Sequence, residues 1–260
     1  MTGKKETSGQ TAVGKALRIL IDLGALSCEE GVRLTDLVER TGFRKPTVHR
    51  LLSELKDYGF VEQDRATGRY RLGTKLVSLS TAVYGKTDLR RLARSHLSEL
   101  VGKTGVTAHL AIRDGNEVVY IDKMEGTFPI RLASGIGWRG PLHCTALGKA
   151  ILAFETEDVR EDALEAELSR RTPHTITTRE ALAAELVRVR ELGYAVDDRE
   201  NEPDIRCIAA PIFNHAGEPI AAISISGTAS QVSRSAFQSF GRLVRDHCLR
   251  LSRGLGFVGE

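Results

Sequence analysis

The chain has 260 residues, 41% of them hydrophobic and 27% charged, which is typical of a globular protein long enough for two domains. It contains no apolar run of about 18 residues and no apolar stretch near the start, which excludes a transmembrane helix and a secretory signal. Its four cysteines are widely spaced without a CxxC pair, which argues against a zinc ribbon. We therefore expect reduced thiols, a cytoplasmic location and no membrane contact.

The first predicted elements form a small helical unit. Residues 1–11 are expected to be a disordered tail, and residues 13–27 a scaffold helix. Two short amphipathic helices follow, joined at Gly42, where a tight turn needs a residue that tolerates unusual backbone angles. Their apolar faces have helical spacing. These faces consist of Leu34, Leu37 and Val38 in the first helix and Val48, Leu51, Leu52 and Leu55 in the second.

A β-hairpin is predicted directly after these helices. Two extended runs, residues 60–61 and 70–72, flank the turn sequence Arg65-Ala66-Thr67-Gly68. Helix, turn, helix and β-wing in this order predict a winged helix-turn-helix DNA-binding domain over residues 12–73. Such a domain usually places its second helix in a DNA major groove.

The start of that second helix is rich in groups that bind DNA. Pro46 is tolerated only in the first turn of a helix, so the helix is predicted to begin near Lys45. Arg50 suits bidentate contact with guanine, and the neighbouring groups suit phosphate or base contacts. The predicted DNA-binding residues are Arg44, Lys45, Thr47, His49 and Arg50, with Arg65 and Arg69 in the wing. The alternative is a basic surface helix in a winged helix that binds another protein.

Charge is distributed unevenly along the chain. Residues 1–87 contain 15 Lys and Arg against 10 Asp and Glu, whereas the remainder contains 22 against 24. Phosphate attraction acts locally, within a Debye length of roughly 8–10 Å. The excess of positive charge near the predicted recognition helix therefore favours double-stranded DNA as the partner.

A linker helix is predicted over residues 74–87, and a second domain follows it. In the linker, Leu76, Leu79 and Val83 have helical spacing. These three residues are either a dimer contact or part of the core packing. Residues 88–260 are predicted to begin and end with helices, at residues 89–101 and 236–255. Period-two patterns predict strands at residues 106–112, 117–123, 207–213 and 219–226, and two further helices are expected at 146–154 and 179–192. The expected fold class is α+β.

Four motifs in this order resemble the IclR family of bacterial transcriptional regulators. They are residues 140–150 (GPLHCTALGKA), 193–202 (GYAVDDRENE), 206–211 (RCIAAP) and 223–227 (ISISG), and the resemblance extends over roughly residues 12–256. It implies a GAF-like effector-binding domain, assembly as a homodimer or a dimer of dimers, and operator binding controlled by a small organic acid. Two departures are Cys144, where the family usually has alanine or serine, and Trp138 in a variable loop.

The motif residues predict a small-anion pocket. Free N–H groups at the start of a helix form a carboxylate site, and in an IclR-like pocket Ala146 and Leu147 take this role. Ser224 and Ser226 lie two apart on a strand and so face the same side. The resemblance adds Asp197 and Cys207 as polar groups and Leu142 and Ile205 as apolar walls. We expect no cofactor and no catalytic residue.

Each of these residues also has a simpler interpretation. Taken alone, Ser224-x-Ser226 is typical of a solvated strand face, Asp197-Asp198 of a turn, and Cys207 of a small buried side chain. A thiol enzyme is a rival hypothesis, with Cys207 or Cys144 as nucleophile, His143 as base and Asp197 orienting the base. No resident metal site is expected, although His143, Cys207 and Asp197 have the chemistry to hold an ion transiently.

Overall fold

The computed structural model describes residues 11–26, 31–83, 89–128 and 133–259. It divides the chain into two units, residues 1–87 and 88–260. The predicted tail up to residue 10, Ser27 and Cys28, and the end of the predicted linker helix lie outside the described residues. In the described part of the chain, no helix is both long and apolar enough to cross a membrane.

The first unit contains four helices and one hairpin among its described residues. Their bounds are α1 Ala12–Leu26, α2 Leu34–Thr41, α3 Lys45–Asp57, β1 Val61–Gln63, β2 Tyr70–Leu72 and α4 Lys75–Val83. Gly42 ends α2 with a φ of 70°, a left-handed conformation in which a residue with a Cβ is disfavoured. The predicted winged helix-turn-helix is confirmed, with α2 and α3 as its helix pair and β1 and β2 as its wing.

The core of this unit is apolar. The faces predicted from helical spacing point inward, and side chains from α1 and both strands complete the cluster. Its buried members are Ile19, Leu23, Val32, Leu37, Phe43, Val48, Leu51, Leu52, Val61 and Tyr70. Val61 pairs with Leu72 across the wing, and Tyr70 also bridges to Val32, which holds the hairpin against the helices.

The described residues of the second unit form helices and one six-stranded sheet. Its elements are α5 Leu89–Thr104, β3 Thr107–Asp114, β4 Glu117–Met124, β5 Arg139–Pro141, α6 Ala146–Leu152, α7 Glu157–Glu165, α8 Arg179–Leu192, β6 Ala195–Asp198, β7 Ile205–Phe213, β8 Pro219–Thr228 and α9 Phe237–Gly254. The strands are antiparallel in the order β5-β4-β3-β8-β7-β6. The predicted α+β class is confirmed. Asp197 and Asp198 end strand β6, so the alternative reading of this pair as a turn is wrong.

Both faces of the sheet are covered by helices. Along β8, Ile223 and Ile225 alternate with Ser224 and Ser226, and all four side chains are buried. Cys207 pairs with Ser226 in the sheet, so these two residues share a face, and α6 and α8 join the hydrophobic cluster on that face. Helices α5 and α9 contact each other and the strands. The interpretation of the two serines as a solvated strand face is therefore wrong.

Candidate functional site

The start of α3 presents its polar groups to solvent. Arg44 precedes the helix with extended backbone angles, and Pro46 lies in the first turn, where its missing N–H breaks no helical hydrogen bond. Val48 and Leu51 anchor the opposite face in the core. Of the five side chains predicted on this helix, Thr47 is half-buried, and Arg44, Lys45, His49 and Arg50 are exposed.

Arg50 has one partner on its own helix. Its Nη1 lies 2.6 Å from Oε1 of Glu54, one turn further along α3, and both side chains are more than half exposed. An exposed i, i+4 ion pair of this kind stabilises a helix by only about 0.3–0.5 kcal/mol. Arg50 can therefore exchange this partner for another acceptor at little cost.

The two wing arginines differ in their surroundings. Asp64 holds the turn by accepting the N–H groups of Thr67 and Ala66, and these hydrogen bonds lower the pKa of its carboxyl. Arg65, on this turn, is exposed. Arg69 is half-buried and donates from Nη1 to the carbonyl of Gly31 at 3.3 Å. Arg65 is thus a surface cation, whereas Arg69 also ties the wing to the segment before α2.

A small cavity of about 30 Å³ lies in the second unit. Four of the predicted effector residues line it, namely Asp197, Ile205, Cys207 and Ser226. Although Trp138, Asn201 and Glu202 lie in segments singled out from the sequence, the other lining residues were not predicted as effector contacts. These are His109, Tyr120, Ala133, Ser134, Trp138, Asn201 and Glu202.

The remaining four predicted residues do not line this cavity. Ala146 and Leu147 are buried in the hydrophobic cluster against which Cys207 and Trp138 pack. Leu142 belongs to the same cluster and also lines a separate cavity of about 140 Å³, together with His143. Ser224 is buried on the same side of β8 as Ser226.

The first turn of α6 is capped by a threonine. Thr145 caps the helix, because its hydroxyl accepts the N–H of Gly148 at 3.0 Å and its carbonyl accepts that of Lys149 at 3.0 Å. Of the first four N–H groups of the helix, those of Ala146 and Leu147 are therefore the two that Thr145 does not bind. These are the two donors named from the motif.

Polar side chains on β3 and β8 face the cavity. His109 reaches Ser226 Oγ from Nδ1 at 3.4 Å and Ser134 Oγ from Nε2 at 2.8 Å. Burial, with a smaller contribution from Lys123, lowers the pKa of His109 to about 3, so the ring is neutral at physiological pH. The nearby Ser224 hydroxyl, which does not line the cavity, is buried and has no hydrogen-bond partner among the described residues. An unpaired buried hydroxyl is costly unless a ligand or water bonds to it.

A buried lysine joins α6 to the strand that carries Asp197. Lys149 Nζ is fully buried and lies 2.5 Å from Glu200 Oε1, 2.6 Å from the carbonyl of Val196 and 3.1 Å from Glu185 Oε1. Burial alone would lower the pKa of Lys149, but the two glutamates outweigh it and raise it. The ammonium is therefore charged and holds α6, α8 and the end of β6 together.

Asp197 accepts backbone hydrogen bonds from the segment that contains Glu200, a partner of Lys149. Its Oδ1 accepts the N–H of Glu200 at 2.6 Å and that of Asn201 at 3.4 Å. Burial, and next the charge of Glu200, raise the pKa of Asp197 to about 8. Because Asp197 lines the cavity, its protonation changes the charge that a bound ligand meets.

The thiols do not have the properties of nucleophiles. Burial raises the pKa of Cys207 well above its usual value and that of Cys144 to about 12. An activated thiol needs a lowered pKa. The ring of His143 meets the carbonyl of Ser169 at 3.1 Å and lines the other cavity. Among the described residues, no group of three or more His, Cys, Asp or Glu side chains could hold a metal ion, so His143, Cys207 and Asp197 do not form such a set.

Comparisons with known proteins match both units. The model of the IclR helix-turn-helix domain matches residues 12–65, and that of the bacterial transcriptional regulator IclR C-terminal domain matches residues 81–253. The chain is 41% identical to the HTH-type transcriptional regulator XynR of Escherichia coli (strain K12), over 95% of this chain and 97% of the relative.

Solved structures agree with these sequence matches. The crystal structure of the Thermotoga maritima IclR has a TM-score of 0.78 and 35% identity, covering 94% of this chain and 98% of that one. An IclR homologue from Microbacterium hydrocarbonoxydans, complexed with 4-hydroxybenzoate, has a TM-score of 0.81 and 24% identity, covering 94% and 99% of the two chains. At that identity the second likeness shows the fold alone.

Proposed function

Because this chain belongs to the IclR family of bacterial transcriptional regulators, we propose that a small carboxylate bound in its second unit controls how tightly its winged helix binds an operator. The observation that carries this proposal is the cavity lined by His109, Asp197, Cys207 and Ser226, because Cys207 also packs against the apolar cluster that contains the start of α6. Pockets for small ligands combine apolar walls with a few placed polar groups in this way.

DNA binding is assigned to the exposed end of α3 and to the wing. Arg44, Lys45 and Thr47 contact phosphates or base edges, while Arg50 leaves Glu54 to read a guanine. His49 lies on the flank of the same helical end, and Arg65 and Arg69 contact the backbone beside the groove. Support comes from the exposure of the α3 cations and from the low cost of breaking the Arg50–Glu54 pair.

The effector is a small carboxylic acid, such as a 2-oxo or hydroxy acid. Its carboxylate accepts the N–H groups of Ala146 and Leu147, and Ser224 and Ser226 donate to its other oxygens. Asp197 and Cys207 complete the polar wall, with Leu142 and Ile205 as apolar neighbours. The carboxylic acid bound to the Microbacterium hydrocarbonoxydans homologue is consistent with this ligand class.

The size of the cavity suggests how binding produces a signal. Its 30 Å³ is about a tenth of the roughly 300 Å³ at which small-molecule sites begin. An acid with several heavy atoms therefore enters only when the walls move apart. We infer that this movement is the structural change that alters operator affinity, since a ligand shifts an equilibrium only by binding one state more tightly.

The protein acts as a homodimer or a dimer of dimers on paired half-sites. Val13, Leu17 and Ile21 form an apolar stripe at i, i+4, i+8 on α1 and are 55–68% exposed. On α4, Leu79 is 44% exposed, Leu76 is half-buried, and the side chain of Val83 lies outside the described residues. These exposed stripes support contacts between two copies of the chain, which would place two recognition helices on one operator.

The test starts from DNA selected out of a random library by the purified protein. Fluorescence anisotropy should show that the selected operator is bound more tightly than random DNA, and that at least one acid in a panel of 2-oxo and hydroxy acids shifts its Kd. Operator DNA must then shift the affinity for that acid by the same factor. No enrichment of any DNA would overturn the regulator proposal, and no response to any carboxylate would overturn the effector class.

A further inference from the structure

A second cleft of about 380 Å³ lies at the other end of α6, where that helix ends and α8 reaches its C-terminus. Its floor is apolar, and Phe154 and Phe213 meet edge to face with ring centroids 5.2 Å apart. Pro211 and Leu249 complete the apolar surface. This volume lies in the range of small-molecule sites, about 300–1,000 Å³, and exceeds that of the cavity beside Ser226 more than tenfold.

Two arginines converge on this cleft. Arg190, on α8, donates from Nε to the carbonyl of Ala153, the residue that follows α6. Arg245, on α9, donates from Nη1 to the carbonyl of Leu192 at 3.4 Å. The stem of Arg245 lies so close to Gly193 that a Cβ there would come within 2.6 Å of Arg245 Cδ. The glycine thus lets the guanidinium approach the end of α8.

The charge in the cleft is only partly balanced. Arg190 takes part in no ion pair among the described residues, and Arg245 pairs only with its neighbour Asp246, at 3.3 Å on the surface of α9. The Nε of Arg245 is buried and has no hydrogen-bond partner in the part of the chain that the structure describes. Glu191 is the acidic residue among the lining side chains. Burial, and next the charge of Arg160, lower the pKa of Arg190, while Glu157 raises it.

We propose that this cleft is a second ligand site, which takes an organic acid with a flat apolar body, such as an aromatic monocarboxylate. The aromatic floor receives the ring, and the guanidiniums of Arg190 and Arg245 receive the carboxylate. Arginine suits this position because its planar donors match a carboxylate and it is less strongly hydrated than lysine. The site differs from the cavity beside Ser226, since the two share no lining residue.

Benzoate is the probe for this site, and benzamide is its uncharged counterpart of the same shape. Isothermal titration calorimetry on the full-length protein should show saturable benzoate binding that is at least tenfold weaker for benzamide. The double variant Arg190→Gln/Arg245→Gln should lose this binding by tenfold or more, and Leu249→Trp should block it while keeping both charges. The control Arg242→Gln removes an exposed arginine of α9 that does not line the cleft, and should bind benzoate like the wild type.

A second control separates the cleft from the cavity of the proposed effector. Ser226→Ala should leave benzoate binding to the cleft unchanged. The proposal is overturned if the double variant titrates like the wild type, or if Ser226→Ala alone abolishes all benzoate binding. It is also overturned if the double variant lowers the oligomeric mass in sedimentation while benzoate binding stays the same, because the cleft would then be a protein contact. Thermal unfolding of each variant verifies that it is folded.

Discussion

The two units place the polar groups assigned to binding in opposite positions. In the winged-helix unit the core cluster is apolar, and the predicted DNA-binding cations on α3 lie on the surface. In the second unit Lys149, Asp197, Ser224 and Ser226 are all buried next to the proposed binding cavity or in the network behind it. The difference implies that function and stability can be separated by mutation in the first unit but are linked in the second.

The largest effect should come from Lys149→Met. This change leaves Glu200 buried without its cation and Glu185 with Arg188 as its remaining partner, which should lower the free energy of unfolding by about 3–5 kcal/mol. The single tryptophan, Trp138, lies in the second unit, so denaturant titration followed by its fluorescence monitors that unit. Lys103→Met, which removes a half-exposed lysine of α5, should change stability by no more than about 0.5 kcal/mol. Equal effects of the two variants would contradict the buried network.

The pH dependence of stability should identify Asp197. Its pKa is about 8 in the fold against an ordinary value of 3.8, so over this window the folded protein holds a proton that the unfolded chain has lost. Stability must then fall as the pH rises, by at most about 3 kcal/mol between pH 6 and 8. Asp197→Asn keeps an oxygen that accepts the two backbone N–H groups and should flatten this slope. The exposed control Asp204→Asn should retain it. An unchanged slope in Asp197→Asn would assign the titration to another group.

Ser226→Ala should weaken the binding of the acid in the buried site. Loss of a hydrogen bond to a charged ligand costs about 1.5–3 kcal/mol, which is roughly a 10- to 100-fold weaker Kd for the best acid of the panel. Operator affinity without effector should not change. Calorimetry on the variant and on the exposed control Ser235→Ala gives the comparison. Identical binding by Ser226→Ala and the wild type would remove this residue from the site.

In the first unit, Arg50→Ala should alter recognition without altering stability. A base contact by this side chain provides about 1–3 kcal/mol of discrimination, so the ratio of operator to random-DNA affinity should fall by that amount. Lys56→Ala, which removes an exposed cation near the other end of α3, should leave the ratio unchanged. Competition anisotropy measures both. A constant ratio in Arg50→Ala would mean that Arg50 does not reach the bases.

The smallest effects are expected in the wing. Arg65→Ala and Arg69→Ala should weaken operator and random DNA about equally and reduce the slope of log K against log salt by about one unit each. They should differ in stability, because Arg69 also donates to the carbonyl of Gly31 whereas Arg65 lies exposed on the turn. Salt titrations combined with thermal unfolding test both statements. A stability loss in Arg65→Ala as large as in Arg69→Ala would contradict this assignment.

Local patterns in the sequence were sufficient for most of the elements. Pro46 and the apolar spacing of α3 predicted where that helix begins and which face it buries, and both agree with the structure. Gly42 and Gly68 likewise marked turns between elements. These predictions succeed because helix starts, turns and strand alternation depend on interactions between residues only a few positions apart.

Only the tertiary structure decided which polar residues are buried together. His109 and Ser226 meet although they are 117 positions apart in the chain, and the partners of Lys149 come from α8 and the end of β6. The sequence predicted Ser226 through its motif and marked Trp138 as a departure from the family, but nothing in it indicated that His109 or Tyr120 lines the cavity. The physical reason is that burial of a polar group depends on neighbours that strand pairing and helix packing bring across the sheet. The sequence of one strand or helix therefore determines its own shape, and the assembled sheet determines the chemistry of the site.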